Sequence, residues 1–343
     1  MRFNPKARLD PSQIDDQRGS GGMGGGMGFP FPGGGGGGGG GIRMGGIGGL
    51  IIMMIFLLVQ CSGGGGGISF PGTDSGNQGQ SQGQTNNSGG FANCQTGQDA
   101  NTDEDCLLVG IANSVNGFWA QQFPKETGGA QYQVAQTVPF SDQVQTACGG
   151  ATSQVGPFYC PNDNRVYLDT TFFPDMLEAQ LGGKDSAFTR AYVIAHEYGH
   201  HVENLLGAMG KVRTQNGPNS DAVKLELMAD CLAGAWTKHA TEPDANGQTL
   251  IEELSDQDIS DAIRSAQTVG DDRIQQRTSG RVNPDAWTHG SAQQRETAFR
   301  HGMKNGTIKS ARVGRGIVKP LATQSRINGQ TLAVAGAEIA KVR

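Results

Sequence analysis

The stretch Tyr192-Val-Ile-Ala-His196-Glu197-Tyr-Gly-His200-His201 decides the fold of this 343-residue chain. On an α-helix, residues four apart share one face, so His196 and His200 can point toward a common ion. Glu197 lies one step round the helix, within reach of a water molecule on that ion. Two neutral imidazoles, a carboxylate and an open coordination position are the parts of a hydrolytic zinc site. The alternative is a chance match on a core helix.

The residues around this motif predict a largely buried helix. Asp185 or Ser186 can cap its start, and Gly207 suits a C-terminal stop. Apolar residues recur between these ends at helical spacing: Phe188, Tyr192, Ala195, Val202 and Leu205.

A third ligand is expected from a second helix further along the chain, between Ser220 and Trp236. Glu226 and Asp230 are four residues apart there and share a face. We predict Glu226 as the third zinc ligand, and Asp230 as the carboxylate that holds a histidine ring through its other nitrogen. A solvated pair on a surface helix is the alternative, but the apolar residues around them argue against it. Small residues beside this face would let the two helices approach closely: Ala222, Ala229 and Ala233.

His196-Glu-Tyr-Gly-His200 followed by Glu226-Leu-Met-Ala-Asp230 resembles the gluzincin pattern of zinc metallopeptidases. More closely, the chain resembles the bacterial "putative neutral zinc metallopeptidase" family of membrane-anchored proteins. The likeness runs from the N-terminus to about Gly306. Five further stretches carry it: Met1-Arg-Phe, Gly156-Pro-Phe-Tyr-Cys160-Pro-Asn-Asp, Val166-Tyr-Leu-Asp169, Gly270-Asp-Asp-Arg-Ile274-Gln and His289-Gly-Ser.

This resemblance implies an α+β, zincin-like metallopeptidase domain, mainly helical with a small antiparallel sheet. It also implies one Zn²⁺ per chain and a peptide or protein substrate. Gluzincins often use a downstream histidine to stabilise an oxyanion, and His289 is the best-placed candidate. In zincins a strand before the metal helix commonly pairs with the substrate backbone. Val166-Tyr-Leu is the candidate here, with an ordinary sheet strand as the alternative. Asp271-Asp272-Arg273 is expected to form a structural ion pair, with catalysis by either aspartate as the weaker alternative.

The predicted site would hydrolyse peptide bonds. Glu197 would take a proton from the zinc-activated water and pass it to the leaving amine. The alternative is a non-catalytic, membrane-tethered binding or scaffold protein with a structural or vestigial zinc site. Glu197 counts against that alternative, because a structural site has no need of it.

Glycine is concentrated before residue 91 and divides the chain. We predict a disordered glycine-rich N-terminal segment at 1–41, a transmembrane helix at 42–60 and a Gly/Ser/Gln-rich linker at 61–90. The metallopeptidase domain would occupy 91–306, followed by a poorly ordered tail at 307–343. The net charge is −5 without a basic block, so nucleic acid is not an expected partner.

The apolar run from Met44 to Val59 carries no charge, which favours a single N-terminal membrane-spanning helix. A cleaved signal peptide, a lipoprotein site at Cys61 and a buried core helix are the alternatives. Because Arg43 lies on the N-terminal side, we predict a single-pass inner-membrane protein with a cytoplasmic N-terminus and a periplasmic, extracytoplasmic catalytic domain.

Cysteine spacing suggests two local disulfides. Cys94 and Cys106 are twelve residues apart, as are Cys148 and Cys160. In an oxidising compartment these are the simplest pairs, with zinc binding by cysteine as the rival. Cys231 is expected to be a buried thiol.

Overall fold

The computed structural model describes residues 1–19, 90–244 and 247–311. These residues are mostly helical with small sheets, as the sequence predicts. The helices are α1 (Gly97–Thr102), α2 (Glu104–Thr127), α3 (Ala187–Leu205), α4 (Asp221–His239), α5 (Asp256–Thr268), α6 (Asp271–Ser279), α7 (Ala292–Asn305) and α8 (Ile308–Ala311). The strands are β1 (Arg2–Phe3), β2 (Gln136–Pro139), β3 (Gln143–Thr146), β4 (Gly149–Thr152), β5 (Phe158–Cys160), β6 (Arg165–Leu168) and β7 (Ile251–Glu253). A π-helical turn, Phe172–Glu178, precedes α3.

The two predicted metal helices form with the expected ends. Ser186 caps α3 through the backbone N–H of Thr189, and Gly207 follows the helix with a φ of 65°. Ser220 caps α4 in the same way, because its hydroxyl accepts from the backbone N–H of Val223 at 3.1 Å. Caps of this kind satisfy N–H groups that a helix start leaves unpaired.

Small residues let α4 approach its two neighbours. A Cβ added to Gly199 on α3 would lie 2.9 Å from the Cα of Ala229 on α4. On the other side of α4, a Cβ on Gly302 of α7 would lie 1.9 Å from the carbonyl oxygen of Cys231. Neither position tolerates a side chain without moving a helix, so these glycines fix the three-helix arrangement that carries the site.

The sheet beside α3 has the strand order β2-β6-β5. As predicted, β5 and β6 form a hairpin, but β2 runs parallel to β6, so this sheet is mixed rather than antiparallel. The prediction that Val166-Tyr-Leu pairs with substrate is wrong. These residues lie in the central strand, whose backbone is already paired on both edges.

Residues 1–19 belong to the folded domain, which corrects the prediction of disorder from residue 1. Strand β1 pairs with β7, and Asn4 donates to the carbonyl of Leu250 at 2.8 Å. Three apolar side chains of this segment lie in the main core: Phe3, Ala7 and Leu9. Arg18 holds Asp105 at the start of α2 with an Nη1–Oδ1 distance of 2.7 Å. The segment is polar on average, but Phe3, Ala7 and Leu9 are buried and Met1 and Ile14 pack against the same core, which is sufficient to dock it.

The domain also extends past Gly306, the predicted end. Ile308 and Ala311 on α8 are fully buried in the main core, so 307–311 are not part of a loose tail. The predicted transmembrane helix at 42–60 and most of the predicted linker at 61–90 and tail at 307–343 lie outside the described residues. Within the described ranges, no helix is long and apolar enough to cross a membrane.

Both predicted disulfides are confirmed. Cys94–Cys106 ties the start of the domain to α2, and Cys148–Cys160 ties the β3–β4 hairpin region to β5. Cys231 is a buried thiol, as expected. Each disulfide closes a loop of twelve residues, which removes conformations from the unfolded chain.

Candidate metal centre

Three side chains converge between α3 and α4. His196 Nε2 lies 3.2 Å from Glu226 Oε2, and His200 Nε2 lies 3.5 Å from Glu226 Oε1. Ligands held about 2.0–2.1 Å from a tetrahedral zinc stand about 3.3 Å apart, so these separations fit the ion. Glu226 Oε1 is buried without a hydrogen bond, as expected of an oxygen that serves a metal. The structure thus brings the three sequence-predicted ligands together.

Asp230 holds the first histidine ring. Its Oδ1 lies 2.8 Å from His196 Nδ1 and accepts from the Tyr192 hydroxyl at 2.5 Å. Arg295 on α7 donates to the same carboxylate, from Nε to Oδ2 at 2.9 Å and from Nη2 to Oδ1 at 3.0 Å. The sequence placed Asp230 in this role, but Arg295 gave no local signal because it lies on a different helix.

Glu203 holds the second histidine ring, and sequence reasoning missed it. Its Oε2 lies 2.7 Å from His200 Nδ1, and its side chain is fully buried. The available signal was the spacing, because residues three apart on a helix are neighbours. With Nδ1 of His196 and of His200 each held by a carboxylate, both rings turn Nε2 toward Glu226.

Replacing Glu203 with Ala should weaken zinc binding about 10–100-fold, because His200 loses the partner that fixes its ring. Competition against a chromophoric zinc chelator measures this. The matched control is Glu242→Ala, since Glu242 makes the same three-residue contact with His239 at 2.8 Å but is exposed. Equal zinc affinity in the two variants would contradict the role given to Glu203.

The pKa values of the His196 and His200 rings differ because the two rings have different neighbours. Burial lowers the pKa of His196, but the Asp230 carboxylate outweighs it and raises the pKa to about 10. Burial lowers the pKa of His200 to about 4. A proton on His196 competes with a metal for the ring, so metal binding releases a proton and strengthens as the pH rises.

Glu197 and His289 line the same cavity as the predicted ligands His196 and Glu226. Glu197 is buried, and burial raises its pKa to about 8. His289 lies on the loop between α6 and α7. Asp271 fixes this loop, because its Oδ2 accepts from the backbone N–H groups of Thr288 and His289, both at 2.7 Å. Asp271 Oδ1 also lies 3.4 Å from His289 Nδ1.

The expected ion pair within Asp271-Asp272-Arg273 is weak, because Asp272 and Arg273 stand 3.9 Å apart with Arg273 exposed. The two aspartates instead organise the His289 loop and the start of α7, where Asp272 accepts from the backbone N–H of Ala292 at 2.7 Å. Sequence reasoning missed this supporting role. His201, next to a predicted ligand, turns away and lies 3.0 Å from the Tyr159 hydroxyl.

A helix pair that brings His196, His200 and Glu226 together, with Glu197 between the two histidines in sequence, defines a candidate metal centre of the HExxH class. The chain belongs to the family described as "putative neutral zinc metallopeptidase", whose sequence profile matches residues 1–313. That match includes the N-terminal segment packed on the domain.

The chain is similar to proteins that have not been characterised. It is 36% identical to the uncharacterized protein YpfJ of Escherichia coli K12 over 312 residues, which cover 88% of this chain and 95% of that protein. It is 46% identical to an uncharacterized protein of Mycobacterium tuberculosis over 219 residues, which cover 63% of this chain and 72% of the relative. No solved structure matches the chain significantly.

Proposed function

We propose that the protein is a zinc metallopeptidase that hydrolyses peptide bonds with a water molecule and Glu197 as general base. One observation carries this proposal: His196, His200 and Glu226 converge, and two of them, His196 and Glu226, line an open cavity together with Glu197. A structural zinc site is closed by four protein ligands, whereas a catalytic site keeps one position free. The cavity gives a substrate access to that position.

The side chains of the site have separate roles in the proposed hydrolysis. A zinc ion held by His196, His200 and Glu226 would supply Lewis acidity, which would make a water molecule acidic enough to lose a proton near neutral pH. Glu197 is the group placed to take that proton and to deliver it to the leaving amine. His289, held by Asp271, lines the same cavity and would donate a hydrogen bond to the carbonyl oxygen that becomes negative.

The structure disfavours the alternative of a non-catalytic binding or scaffold protein. Such a protein has no need of a buried glutamate beside the candidate ligands, and Glu197 is buried there. The two disulfides support an oxidising compartment. We therefore propose that the domain acts outside the cytoplasm, in association with the membrane through the apolar run at 44–59.

Zinc analysis and peptide digestion of the full chain, purified with its disulfides intact, test this function. We expect about one zinc ion per chain and cleavage of a random peptide library. A zinc chelator should abolish cleavage, and added zinc should restore it. Bound zinc without cleavage would favour the scaffold protein, and a chain that binds no zinc would contradict both.

A further inference from the structure

A cavity of about 720 Å³, including its open mouth, begins at the candidate metal centre. His196, Glu197, Glu226 and His289 line it on the side of the candidate metal centre. The rest of its wall is built from the stretch 155–157 before β5, the π-helical turn, α3 and the residues where α5 ends and α6 begins. The apolar side chains of this wall include Val155, Phe172, Met176, Val193, Val269 and Ile274.

The wall offers no partner for a charged side chain. Away from the metal centre, the described residues that line it are apolar, and Arg295, which reaches it, is already paired with Asp230 and Tyr192. Burying a charge there would therefore lose hydration without replacing it. An apolar side chain would instead gain from leaving water, as in most small-molecule pockets.

The cavity lies close enough to the candidate metal centre to contact the substrate side chain next to the scissile bond. Val193 stands three residues before His196 on the same face of α3, so the apolar wall begins within one helical turn of the metal ligands. One helical turn is about 5.4 Å, roughly the reach of a side chain next to the scissile bond.

We propose that this cavity selects a large aliphatic or aromatic side chain next to the scissile bond, so that the substrate class is unfolded or extended polypeptide with exposed apolar residues. This proposal rests on the peptidase function proposed above. Met176 and Ile274, both half-buried at the wall, are the specificity-determining residues that can be changed without touching the metal ligands.

Library digestion by the full chain, with Met176→Glu beside wild type, tests the selection. Wild type should prefer Leu, Ile, Met or Phe over Gly and Asp next to the cut by at least about tenfold. Met176→Glu should move the preference toward Lys and Arg by a similar factor. Val134→Glu, at an exposed residue outside the cavity lining, should leave the preference unchanged. If the wild-type protein cleaved the library without preferring apolar residues next to the cleaved bond, the proposal would be overturned.

A binding measurement separates this inference from turnover. Zinc-loaded Glu197→Gln should bind the hydroxamate of N-acetyl-leucine at least about tenfold more tightly than the hydroxamate of N-acetyl-glycine. Met176→Glu added to Glu197→Gln should remove that difference. Selective binding without any peptide cleavage would keep the cavity assignment and contradict the peptidase. Equal affinities would contradict the cavity assignment alone, and no binding would contradict both.

The N-terminal segment leads to a second inference, carried by separate contacts. The backbone N–H of Asp10 donates to Asn113 Oδ1 at 2.6 Å, and Asn116 Nδ2 donates to Gln13 Oε1 at 2.8 Å. A Cβ on Gly90 would lie 3.5 Å from Arg18 Nη2, so the two described parts of the chain, which end at residue 19 and resume at residue 90, meet at neighbouring points.

We infer that residues 1–19 and 90–311 lie on the same side of the membrane. A single crossing at 42–60 would place them on opposite sides, and the buried contacts of Phe3 and Leu9 could not then form. The inference therefore argues against the single crossing predicted at 42–60.

Labelling of single cysteines in intact cells tests this topology. Lys6→Cys and Val134→Cys, each at an exposed residue and in a Cys61→Ser background, are treated with a membrane-impermeant maleimide. Both should react before lysis, or both only after it. Labelling of one before lysis and of the other only after lysis would overturn the inference and support the single crossing.

Discussion

Replacing Glu197 with Gln should lower kcat/KM for peptide cleavage by about 10²- to 10⁴-fold and leave bound zinc and the melting temperature nearly unchanged. The amide has the shape of the carboxylate but cannot take a proton from water. Glu197 is buried where it lines the cavity, and burial raises the pKa of its carboxyl group to about 8. A neutral amide fits that environment, so the fold should tolerate it.

Zinc content and melting temperature, measured beside kcat/KM, decide what such a loss means. Glu242→Gln is the matched control, because Glu242 is exposed and its side chain contacts His239 rather than the candidate ligands. It should retain wild-type activity. If Glu197→Gln cleaved at the wild-type rate, another group would be the general base. If it lost zinc, the fall in activity would report metal binding instead of proton transfer.

The centre could be predicted from sequence wherever its parts are local. His196 and His200 share a helix, and Glu226 and Asp230 share another, so helical spacing alone groups each pair. Asp185 or Ser186 and Ser220 or Asp221 were the capping candidates, so the start of each helix could be predicted to within one residue. Glu203 lies on the same helix, three residues after His200. A carboxylate at that spacing is commonly a surface residue, so the spacing alone did not predict its contact with the His200 ring.

Contacts between distant parts of the chain could not be predicted. Arg295 reaches Asp230 across 65 residues, and the parallel pairing of β2 with β6 depends on a register that no short stretch specifies. The prediction of disorder for residues 1–19 rested on the glycine tract that follows them. The apolar side chains of this segment are too few to show a helical or strand periodicity. Their burial depends on contacts with the rest of the domain, which the segment's own sequence does not reveal.

The Arg295–Asp230 pair should dominate the stability of this centre. Replacing Arg295 with Met should lower the free energy of unfolding by about 3–5 kcal/mol, because Asp230 then keeps a buried charge without its partner. Both side chains are buried, and the Arg295 charge holds the pKa of Asp230 well below its ordinary range. For a domain of this size the loss corresponds to a fall in melting temperature of roughly 10 °C.

Arg300 provides a control on the same helix. It pairs with Glu296 at 2.7 Å but is exposed, so Arg300→Met should change the unfolding free energy by less than about 0.5 kcal/mol. Chemical denaturation of the full chain measures both variants. Equal effects at the two positions would show that the buried pair contributes no more than a surface one.

Removing both charges separates stability from metal binding. The double variant Arg295→Met with Asp230→Asn has no unpaired buried charge, so it should recover at least about half of the stability lost by Arg295→Met alone. Its zinc affinity should nevertheless stay about 10–100-fold below wild type, because His196 Nδ1 no longer faces a carboxylate. Recovery of both properties would mean that Asp230 serves the fold only. Recovery of stability alone would show that the chain keeps a buried charge pair in order to orient a metal ligand.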